Sequence, residues 1–316
     1  PTLNTTPESY ELHQAFAQMV EAGCEYAVME VSSQGIKMHR TDGLYFNYAI
    51  FTNISPDHIG PGEHADFEEY LYYKTRLLNM CGIGLVNKDD EHAPQIIKAA
   101  NCELYTYSEE SKEADFVASD IRYVSQPDFV GTEFHISGKY DMEVRLGIPG
   151  LFNVVNALAA VSVCSFLGLD QARISHALEN IRVNGRMEIV YTSERCTVLV
   201  DYAHNAVSME SLLSTLRDYK PKRLVCVFGC GGNRSKDRRY SMGEIGGKMA
   251  DLSIITADNS RYEKVEDIIA DIRGSIEKTG GKFIEIPDRR EAIRYSILHA
   301  QPGDMVAVIG KGHEDY

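Results

Sequence analysis

A polar segment that follows an apolar run near the start of the chain carries side chains that could bind a metal ion or a phosphate. The apolar residues 48–51 give way to Thr, Asn and Ser, and then to Asp57 and His58. Such a change at the end of a strand is typical of open α/β sheets, whose ligands lie outside the carboxyl ends of the strands. Lys74 follows on a predicted helix over 67–80, which could bring its amine back to the same place.

Glu30 adds a carboxylate at the end of another predicted strand, over 26–31, and serines follow at positions 32 and 33. Hard cations prefer oxygen ligands, so a carboxylate beside hydroxyls, with His58 at the neighbouring strand end, indicates a hard-cation site. Taken alone, Glu30 is explained equally well as a helix-cap partner or a surface acid. Lys74 taken alone is explained as a solvated helical lysine.

The positive charge of Lys74 would repel a bound cation. Reaction of its amine with CO₂ would give a carbamate, an anion that can bind the metal. The reaction needs the neutral amine, which is only about 0.04% of a lysine with a pKa of roughly 10.4 at neutral pH. Burial or nearby cations would lower the lysine pKa and raise this fraction.

Composition and charge exclude several classes of protein. The 316 residues carry a formal net charge of −14, which argues against a nonspecific nucleic-acid or anionic-membrane binder. No apolar run approaches the roughly 18 residues of a membrane span. The 7 cysteines are scattered without a CxxC pair, which is typical of a cytoplasmic protein and argues against a structural zinc site.

The order of predicted elements indicates an α/β fold with two domains. Strands and helices alternate up to about residue 107, which predicts a mostly parallel sheet. Short alternating strands over 115–148 predict a small antiparallel sheet attached to it. A second run of alternation predicts a Rossmann-like C-terminal domain. We place the boundary near Val183, giving domains over 1–183 and 184–316.

Nearly every predicted strand of the second domain is followed by a polar or glycine-rich cluster. The clusters lie at 201–205, 229–239, 258–261, 288–290 and 310–314. One such cluster is an ordinary loop, but several on the same edge of a sheet indicate a ligand site. In the cluster 229–239, glycines would let the backbone approach a phosphate or carboxylate, and arginines would bind oxyanions. A solvated surface patch is the alternative explanation for these arginines.

The clusters in both domains together resemble one known family. The motifs that carry the resemblance lie at 4–7, 30–33, 51–58, 73–74, 153–157, 185–188, 201–204, 229–239, 258–261 and 310–314. In this order they resemble the Mur ligases, most closely the UDP-N-acetylmuramoyl-tripeptide synthetase type of peptidoglycan synthesis.

The resemblance implies an ATP-dependent carboxylate–amine ligase. The terminal carboxylate of UDP-N-acetylmuramoyl-L-Ala-D-Glu would attack the γ-phosphate of ATP and become an acyl phosphate. The amine of the third residue, a diamino acid, would then displace phosphate. The implied cofactors are ATP, Mg²⁺ and a carbamylated Lys74, and the implied state is a cytoplasmic monomer without a nucleic-acid partner or membrane insertion.

The resemblance also implies a role for individual residues. It assigns catalysis and metal binding to Glu30, His58 and Lys74. It assigns nucleotide binding to Asn156, Arg186, Asp201 and His204. It assigns binding of the UDP-muramoyl substrate to Thr5, Thr6, Ser32 and Arg40. It assigns binding of the incoming amino acid to Arg239, Asn259, Arg261, Gly310 and Glu314.

The sequence departs from the family pattern in several places. The family's Gly-Lys-Thr-Thr phosphate loop, expected upstream of Asn4, and its amino-terminal UDP-binding domain are not in this sequence, so we expect the chain as given to be inactive. Ser260 stands where the family has Pro in Asp-Asn-Pro-Arg. Arg261 is kept, and it would pair with the distal carboxylate of meso-diaminopimelate, which lysine lacks. The segment 60–64 is longer than usual.

Other functions remain open at this stage. A ligase of the same family could add L-lysine or another diamino acid, and a degenerate member could serve as a binding module without catalysis. Folylpolyglutamate and cyanophycin synthetases are related alternatives, against which the clusters 229–232 and 258–261 argue. The Mur-type partner subunit of an amidotransferase typically carries a four-cysteine zinc ribbon, which the absence of CxxC argues against.

Overall fold

A computed structural model describes residues 4–313. The chain divides into two compact units. Unit 1 comprises Pro1–Ser119, Ile136–Asp141 and Leu158–Leu169, and unit 2 comprises Asp120–His135, Met142–Ala157 and Asp170–Tyr316.

Helices and strands alternate along much of the described chain. The α-helices are α1 (Ser9–Glu21), α2 (Ser33–Lys37), α3 (Phe67–Arg76), α4 (Ala93–Ala99), α5 (Leu151–Phe166), α6 (Gln171–Asn180), α7 (Ala206–Asp218), α8 (Asp237–Met249), α9 (Val265–Thr279) and α10 (Arg289–Leu298). The strands are β1 (Phe46–Phe51), β2 (Cys81–Asn87), β3 (Glu103–Ser108), β4 (Phe116–Gln126), β5 (Phe129–Gly138), β6 (Met142–Leu146), β7 (Glu188–Thr192), β8 (Cys196–Asp201), β9 (Arg223–Phe228), β10 (Leu252–Ile255), β11 (Phe283–Glu285) and β12 (Asp304–Ile309).

The first sheet has six strands in the order β1-β2-β3-β4-β5-β6. The pairs β1–β2, β2–β3 and β3–β4 are parallel. In unit 1, Leu85 and Val86 of β2 are fully buried, and Ile96 of α4 packs in the same core as Val86. The strands β4–β6, predicted as a small attached sheet, continue the same sheet.

The second sheet lies in unit 2 and has the order β11-β10-β9-β12-β8-β7. Its pairs are parallel except for β7–β8, which is antiparallel. Every residue of β12 is buried, as expected for a parallel strand whose faces are both covered. The α/β fold with mixed sheets, and its Rossmann-like second part, confirm the predicted fold class.

Helix α8 packs closely on the second sheet because it carries small residues. A Cβ placed on Gly246 would lie 2.9 Å from the Phe228 ring, so a larger side chain would push the helix away. At the end of α7, the Tyr219 hydroxyl accepts a hydrogen bond from the Gly150 amide at 3.1 Å and lies 3.0 Å from Thr132 Oγ1. These bonds fix the start of α5, the helix that carries Asn156.

The predicted strand over 26–31 is wrong. These residues form no regular secondary structure and have no ladder partner among residues 4–313, and Val28 is 98% exposed. An apolar run becomes a strand only when a neighbouring strand supplies hydrogen bonds to its backbone. In residues 4–313 we also find no helix with the length and apolar character needed to cross a membrane.

The core of unit 2 predicts a clear difference between two positions on α7. Leu213 is fully buried in the core, whereas Val207 on the same helix is 78% exposed. We expect Leu213→Ala to lower the free energy of unfolding by about 2–5 kcal/mol because it leaves a cavity. The control Val207→Ala should change it by no more than about 0.5 kcal/mol. Urea unfolding of both variants measures this, and equal losses would contradict the described packing.

Candidate functional site

A cavity of about 400 Å³ lies in unit 2 beside the end of β8 and the first turns of α7. Its volume is within the range of small-molecule sites. It is lined by Ile148, Phe152, Asn153, Asn156, Val183, Arg186, Met187, Asp201, Ser208, Ser211 and Leu212. The structure thus brings Asn156, Arg186 and Asp201, which the sequence assigned to a nucleotide, to one cavity.

Asp201 fixes the backbone around this cavity. The residue is only 8% exposed, and its Oδ1 accepts a hydrogen bond from the Ala203 amide at 2.7 Å. Its Oδ2 accepts one from the Met187 amide at 2.8 Å. Both carboxylate oxygens are therefore bonded to backbone N–H groups, which hold the turn that carries Arg186 against the end of β8.

Tyr202 brings Arg186 and His204 together. The Arg186 guanidinium carbon lies 4.8 Å from the centre of the Tyr202 ring, which is a cation–π contact. The His204 ring centre lies 4.9 Å from that of Tyr202, and its Nδ1 lies 3.0 Å from the Tyr202 carbonyl oxygen. Since a carbonyl only accepts, Nδ1 donates this bond and Nε2 carries no proton in the neutral ring. Arg186 and His204 are both exposed, so they are accessible to a ligand.

The start of α7 favours an anion at the same place. Asn205 caps the helix: its Oδ1 accepts a hydrogen bond from the Ser208 amide at 2.9 Å, and Ser208 Oγ accepts one from the Asn205 amide. Ser208 also lines the cavity. The partial positive charge at the amino terminus of a helix stabilises bound phosphate.

The loops assigned to the amino acid pack against each other in unit 2. The Gly232 amide donates to the Asn259 carbonyl oxygen at 2.8 Å, and Arg261 Nη1 donates to the Gly232 carbonyl oxygen at 2.6 Å. A Cβ on Gly232 would lie 1.9 Å from the Ser260 carbonyl oxygen. The close approach of the loop that contains Ser260 therefore explains why residue 232 is a glycine. From the sequence, we had expected a ligand to approach the backbone at this glycine.

Gly310 belongs to the same group of loops. Its φ is +112°, and a Cβ there would lie 2.7 Å from Asp258 Oδ2. Asp258 Oδ1 accepts a hydrogen bond from the Asn259 amide at 2.6 Å. Asn259, Arg261 and Gly310 thus lie in loops that are held together at the carboxyl ends of β9, β10 and β12. Glu314 lies outside the described residues.

Arg239 is buried beneath these loops, with only 1% of the residue exposed. Its Nη2 lies 2.6 Å from Glu263 Oε1 and its Nη1 lies 2.9 Å from Asp271 Oδ2. Its Nε has no hydrogen-bond partner among the described residues. Arg239 therefore joins α8 to α9 and the loop before it, and its contact with an amino acid stays a prediction. The sequence analysis missed both carboxylates because they lie far along the chain.

In unit 1, the residues assigned to the UDP-muramoyl substrate mostly bond the backbone. Thr6 is fully buried, and its hydroxyl donates to the Glu30 carbonyl oxygen and accepts from the Ser32 amide. Helix α1 begins after it, at Ser9, with no side-chain cap. Ser32 caps α2 by accepting from the Gly35 amide at 2.9 Å.

Arg40 contacts other residues of unit 1, whereas Thr5 is exposed at the surface. One end of the Arg40 guanidinium lies 2.8 Å from Glu8 Oε1 and the other donates to the Thr6 carbonyl oxygen. Thr5 is exposed. The structure therefore gathers Thr6, Ser32 and Arg40 around one stretch of backbone and leaves the Thr5 hydroxyl at the surface.

Two of the three residues assigned to the metal, Lys74 and His58, lie near Tyr70. Lys74 Nζ lies 5.7 Å from the Tyr70 ring centre, and the His58 ring centre lies 5.8 Å from it. Burial lowers the pKa of the half-buried Lys74, although the nearby carboxylate of Glu30 opposes the shift. Within residues 4–313, no three His, Cys, Asp or Glu side chains are arranged to hold a metal ion.

Sequence reasoning missed the residues that hold the segment leading to His58. Asn87 Nδ2 donates to the Thr52 carbonyl oxygen at 2.9 Å, and Asp90 Oδ2 accepts from the Ile54 amide at 2.8 Å. A signal was present, since both residues lie at or just after the end of β2. The polar residues after one strand thus fix the polar segment after its neighbour.

The ion pairs of Arg239 predict a pH-dependent contribution to stability. Hydrogen bonds from Arg239 lower the pKa of Glu263, and although burial raises that of Asp271, its bonds to Arg239 and Lys236 lower it overall. Depressed carboxyl pKa values add stability above the unfolded values, and this stability is lost as pH falls through the folded values.

We therefore expect Arg239→Met to destabilise the protein strongly at pH ~7 and much less at pH ~3. Urea unfolding at both pH values measures the difference from the unchanged protein. The control is Arg234→Met, an exposed arginine of the loop that precedes α8. A destabilisation by Arg239→Met that does not depend on pH would refute the role of these ion pairs.

Comparison with known proteins gives matches along both parts of the chain. The Mur ligase middle domain model matches residues 1–164, and the model of the Mur ligase glutamate ligase domain matches residues 185–312. Among solved structures, one described as UDP-N-acetylmuramoyl-L-alanyl-D-glutamate--2,6-diaminopimelate ligase superposes with a TM-score of 0.79 at 33% identity, over 98% of this chain and 64% of that one. A folylpolyglutamate synthase from Thermotoga maritima gives 0.66 at 18% identity, over 95% of this chain and 66% of that one, which shows a shared fold alone.

Curated relatives carry the same description as the first of these structures. The chain is 39% identical over 322 residues to the UDP-N-acetylmuramoyl-L-alanyl-D-glutamate--2,6-diaminopimelate ligase of Caldanaerobacter subterraneus subsp. tengcongensis, covering 100% of this chain and 64% of that protein. It is 41% identical over 320 residues to the protein of that name in Trichormus variabilis, covering 99% of this chain and 63% of that protein. The chain thus spans less than two thirds of these relatives, and it belongs to the Mur ligase family.

Proposed function

We propose that the protein is an ATP-dependent ligase that adds meso-diaminopimelate to UDP-N-acetylmuramoyl-L-Ala-D-Glu in peptidoglycan synthesis. The observation that carries this proposal is the cavity of unit 2, where Asn156, Arg186 and Asp201 meet. The names of the relatives, which are ligases of this dipeptide and 2,6-diaminopimelate, support the choice of substrates.

The cavity has the groups that an adenine nucleotide needs. In the proposed arrangement, the exposed amide of Asn156 bonds the adenine edge, since it offers both a donor and an acceptor. Arg186 and His204 lie on the Tyr202 ring, where they bind the ribose and phosphates. The start of α7 adds a favourable field for negative charge.

The donor set in unit 1 suits Mg²⁺ once Lys74 is a carbamate. Glu30 and the carbamate supply oxygen ligands and His58 supplies a nitrogen. The lowered pKa of Lys74 supports this modification because it increases the fraction of the lysine that carries a neutral amine. Lys74 makes no ion pair with the residues the structure describes, and the nearby Glu30 carboxylate opposes the lowering of its pKa only in part. When bound, the ion would offset the charge that develops on the transferred phosphoryl group.

The residues of the chain then act on the two substrates in turn. The groups around ATP orient its γ-phosphate for attack by the dipeptide carboxylate, which forms an acyl phosphate and releases ADP. The amine of diaminopimelate attacks the acyl carbon and releases phosphate. Fixed positive groups stabilise the charge on the phosphates in both steps.

Arg261 supports the choice of meso-diaminopimelate. Its guanidinium uses Nη1 to bond Gly232, and its remaining donors have no hydrogen-bond partner within residues 4–313. They would pair with the distal carboxylate of the incoming amino acid, to which a guanidinium donates in a fork. Lysine has an ammonium group without that carboxylate.

The proposal also covers the domain boundary, the location in the cell and the oligomeric state. The match to the middle-domain model ends at residue 164, and the match to the second model begins at residue 185. Both ends support the boundary that we propose between domains over 1–183 and 184–316. The cysteines of the chain are free thiols, which supports a cytoplasmic location. We further propose that the protein acts as a monomer.

A panel of amino acids tests the proposed reaction in the full-length protein. With ATP, Mg²⁺ and UDP-N-acetylmuramoyl-dipeptide, we expect ADP and tripeptide product with meso-diaminopimelate, and little with lysine or ornithine. Arg261→Ala should raise the KM for diaminopimelate about ten- to a hundredfold and leave the KM for ATP unchanged, since a hydrogen bond to a charged group is lost.

The exposed Arg294 of α10, which lies outside the polar clusters, provides the control, and Arg294→Ala should change neither KM. The absence of product with every amino acid would refute the ligase. Equal rates with lysine and diaminopimelate would refute the role of Arg261 alone.

A second test addresses Lys74. In carbon-13 bicarbonate buffer, we expect a carbamate signal by NMR that is lost in Lys74→Arg. Because burial lowers the pKa of Lys74 from its ordinary value of 10.5, the carbamate at fixed dissolved CO₂ should rise at a lower pH than in a lysine peptide. A signal that persists in Lys74→Arg, or no signal at any pH, would contradict the modification.

A further inference from the structure

His64 is a fully buried histidine between β1 and α3 to which the proposed reaction gives no role. It ends the segment 60–64, which contains Gly60 and Gly62. A Cβ on either glycine would meet nothing within 4 Å, so no close packing restrains this part of the loop. Glycine loses more conformational freedom on folding than other residues, and such a loop needs an anchor elsewhere.

The imidazole of His64 is held on several sides. Its Nε2 lies 2.9 Å from Ser33 Oγ, and its ring centre lies 5.3 Å from that of Tyr70 and 5.7 Å from that of Tyr73. Its Nδ1 lies 3.7 Å from Glu69 Oε2, which is beyond hydrogen-bond distance. Nδ1 has no hydrogen-bond partner among the described residues, so the contact between Nε2 and the Ser33 hydroxyl is the hydrogen bond that holds the ring.

The backbone of His64 closes the loop that carries His58. The His64 amide donates to the His58 carbonyl oxygen at 3.0 Å, and the Gly60 amide donates to the His64 carbonyl oxygen at 3.1 Å. Between them, Glu63 Oε1 lies 3.3 Å from His58 Nδ1. The position of the His58 ring therefore depends on a loop whose only fully buried side chain is that of His64.

Helix α2 is joined to the same loop. Ser33, the partner of His64, is the first residue of α2 and follows Ser32, the residue assigned to the UDP-muramoyl substrate. From the same helix, Gln34 Nε2 donates to the Gly62 carbonyl oxygen at 2.8 Å, and Lys37 Nζ donates to the Glu63 carbonyl oxygen at 2.9 Å. The buried end of this set of contacts is the bond between His64 and Ser33.

We propose that His64 is a positioning residue that holds the His58 loop and the start of α2 in one arrangement. The segment assigned to the metal and the segment assigned to the muramoyl substrate then keep a fixed relation within unit 1. The functional part of this inference rests on the proposed function, whereas the positioning part concerns the loop and the helix alone.

Hydrogen exchange of the 316-residue chain tests the positioning. We expect His64→Phe, which keeps an aromatic ring, and Ser33→Ala, which keeps the imidazole, each to speed amide exchange of residues 58–64 by about tenfold, as the loss of one buried hydrogen bond implies. His64→Gln, whose side-chain amide can reach Ser33, should restore most of the protection. Amides of β9 in unit 2 serve as the internal control and should not change.

Kinetics of the full-length protein separate positioning from a purely structural role. We expect His64→Phe and Ser33→Ala to raise the KM for UDP-muramoyl-dipeptide and lower kcat, with the KM for diaminopimelate unchanged. Should His64→Phe fail to fold, Ser33→Ala alone decides. Unchanged exchange of residues 58–64 in a folded variant would overturn the proposal, and so would faster exchange with unchanged kcat and KM. If the unchanged protein shows no ligase activity, the proposed function fails and the exchange experiment still decides the positioning.

Discussion

The carboxylate of Asp201 is the interaction on which the cavity of unit 2 depends. It ends β8 in a largely buried position, and it accepts hydrogen bonds from the Met187 and Ala203 amides. A buried carboxylate without such partners would be costly, so the bonds and the burial require each other. Because Met187 follows Arg186 and Ala203 precedes His204, one side chain fixes the backbone beside both Arg186 and His204, which contact the Tyr202 ring. The nucleotide site that we propose is the result of this constraint.

In unit 1, buried polar side chains also hold the backbone by hydrogen bonds, but these side chains are neutral. The hydroxyl of Thr6 bonds the backbone on both sides of Val31, and the imidazole of His64 bonds Ser33. In both cases a fully buried polar side chain holds a segment that carries exposed functional groups. The exposed groups, Glu30 and His58, remain accessible to a ligand while the backbone beneath them is fixed. Burial lowers the pKa of His64, and this keeps its ring neutral in that role.

Local patterns predicted the strands and the polar clusters at their ends, because alternation and apolar runs reflect burial in a parallel sheet. They could not predict the partners of polar side chains. The carboxylate partners of Arg239 lie 24 and 32 residues away, and Thr6 bonds Glu30 at a separation of 24. Such pairs follow from topology rather than from spacing. The prediction of a strand over 26–31 failed for a related reason, since a strand needs a neighbour as well as an apolar sequence.

The ligase that we propose activates a carboxylate as an acyl phosphate. The most direct measurement uses UDP-N-acetylmuramoyl-dipeptide labelled with oxygen-18 in its terminal carboxylate, with the full-length protein, ATP, Mg²⁺ and meso-diaminopimelate. We predict one labelled oxygen in each phosphate released, because the bond between carboxylate oxygen and phosphorus survives when the amine attacks the acyl carbon. Released phosphate that carries no label, with an oxygen from water instead, would contradict the account.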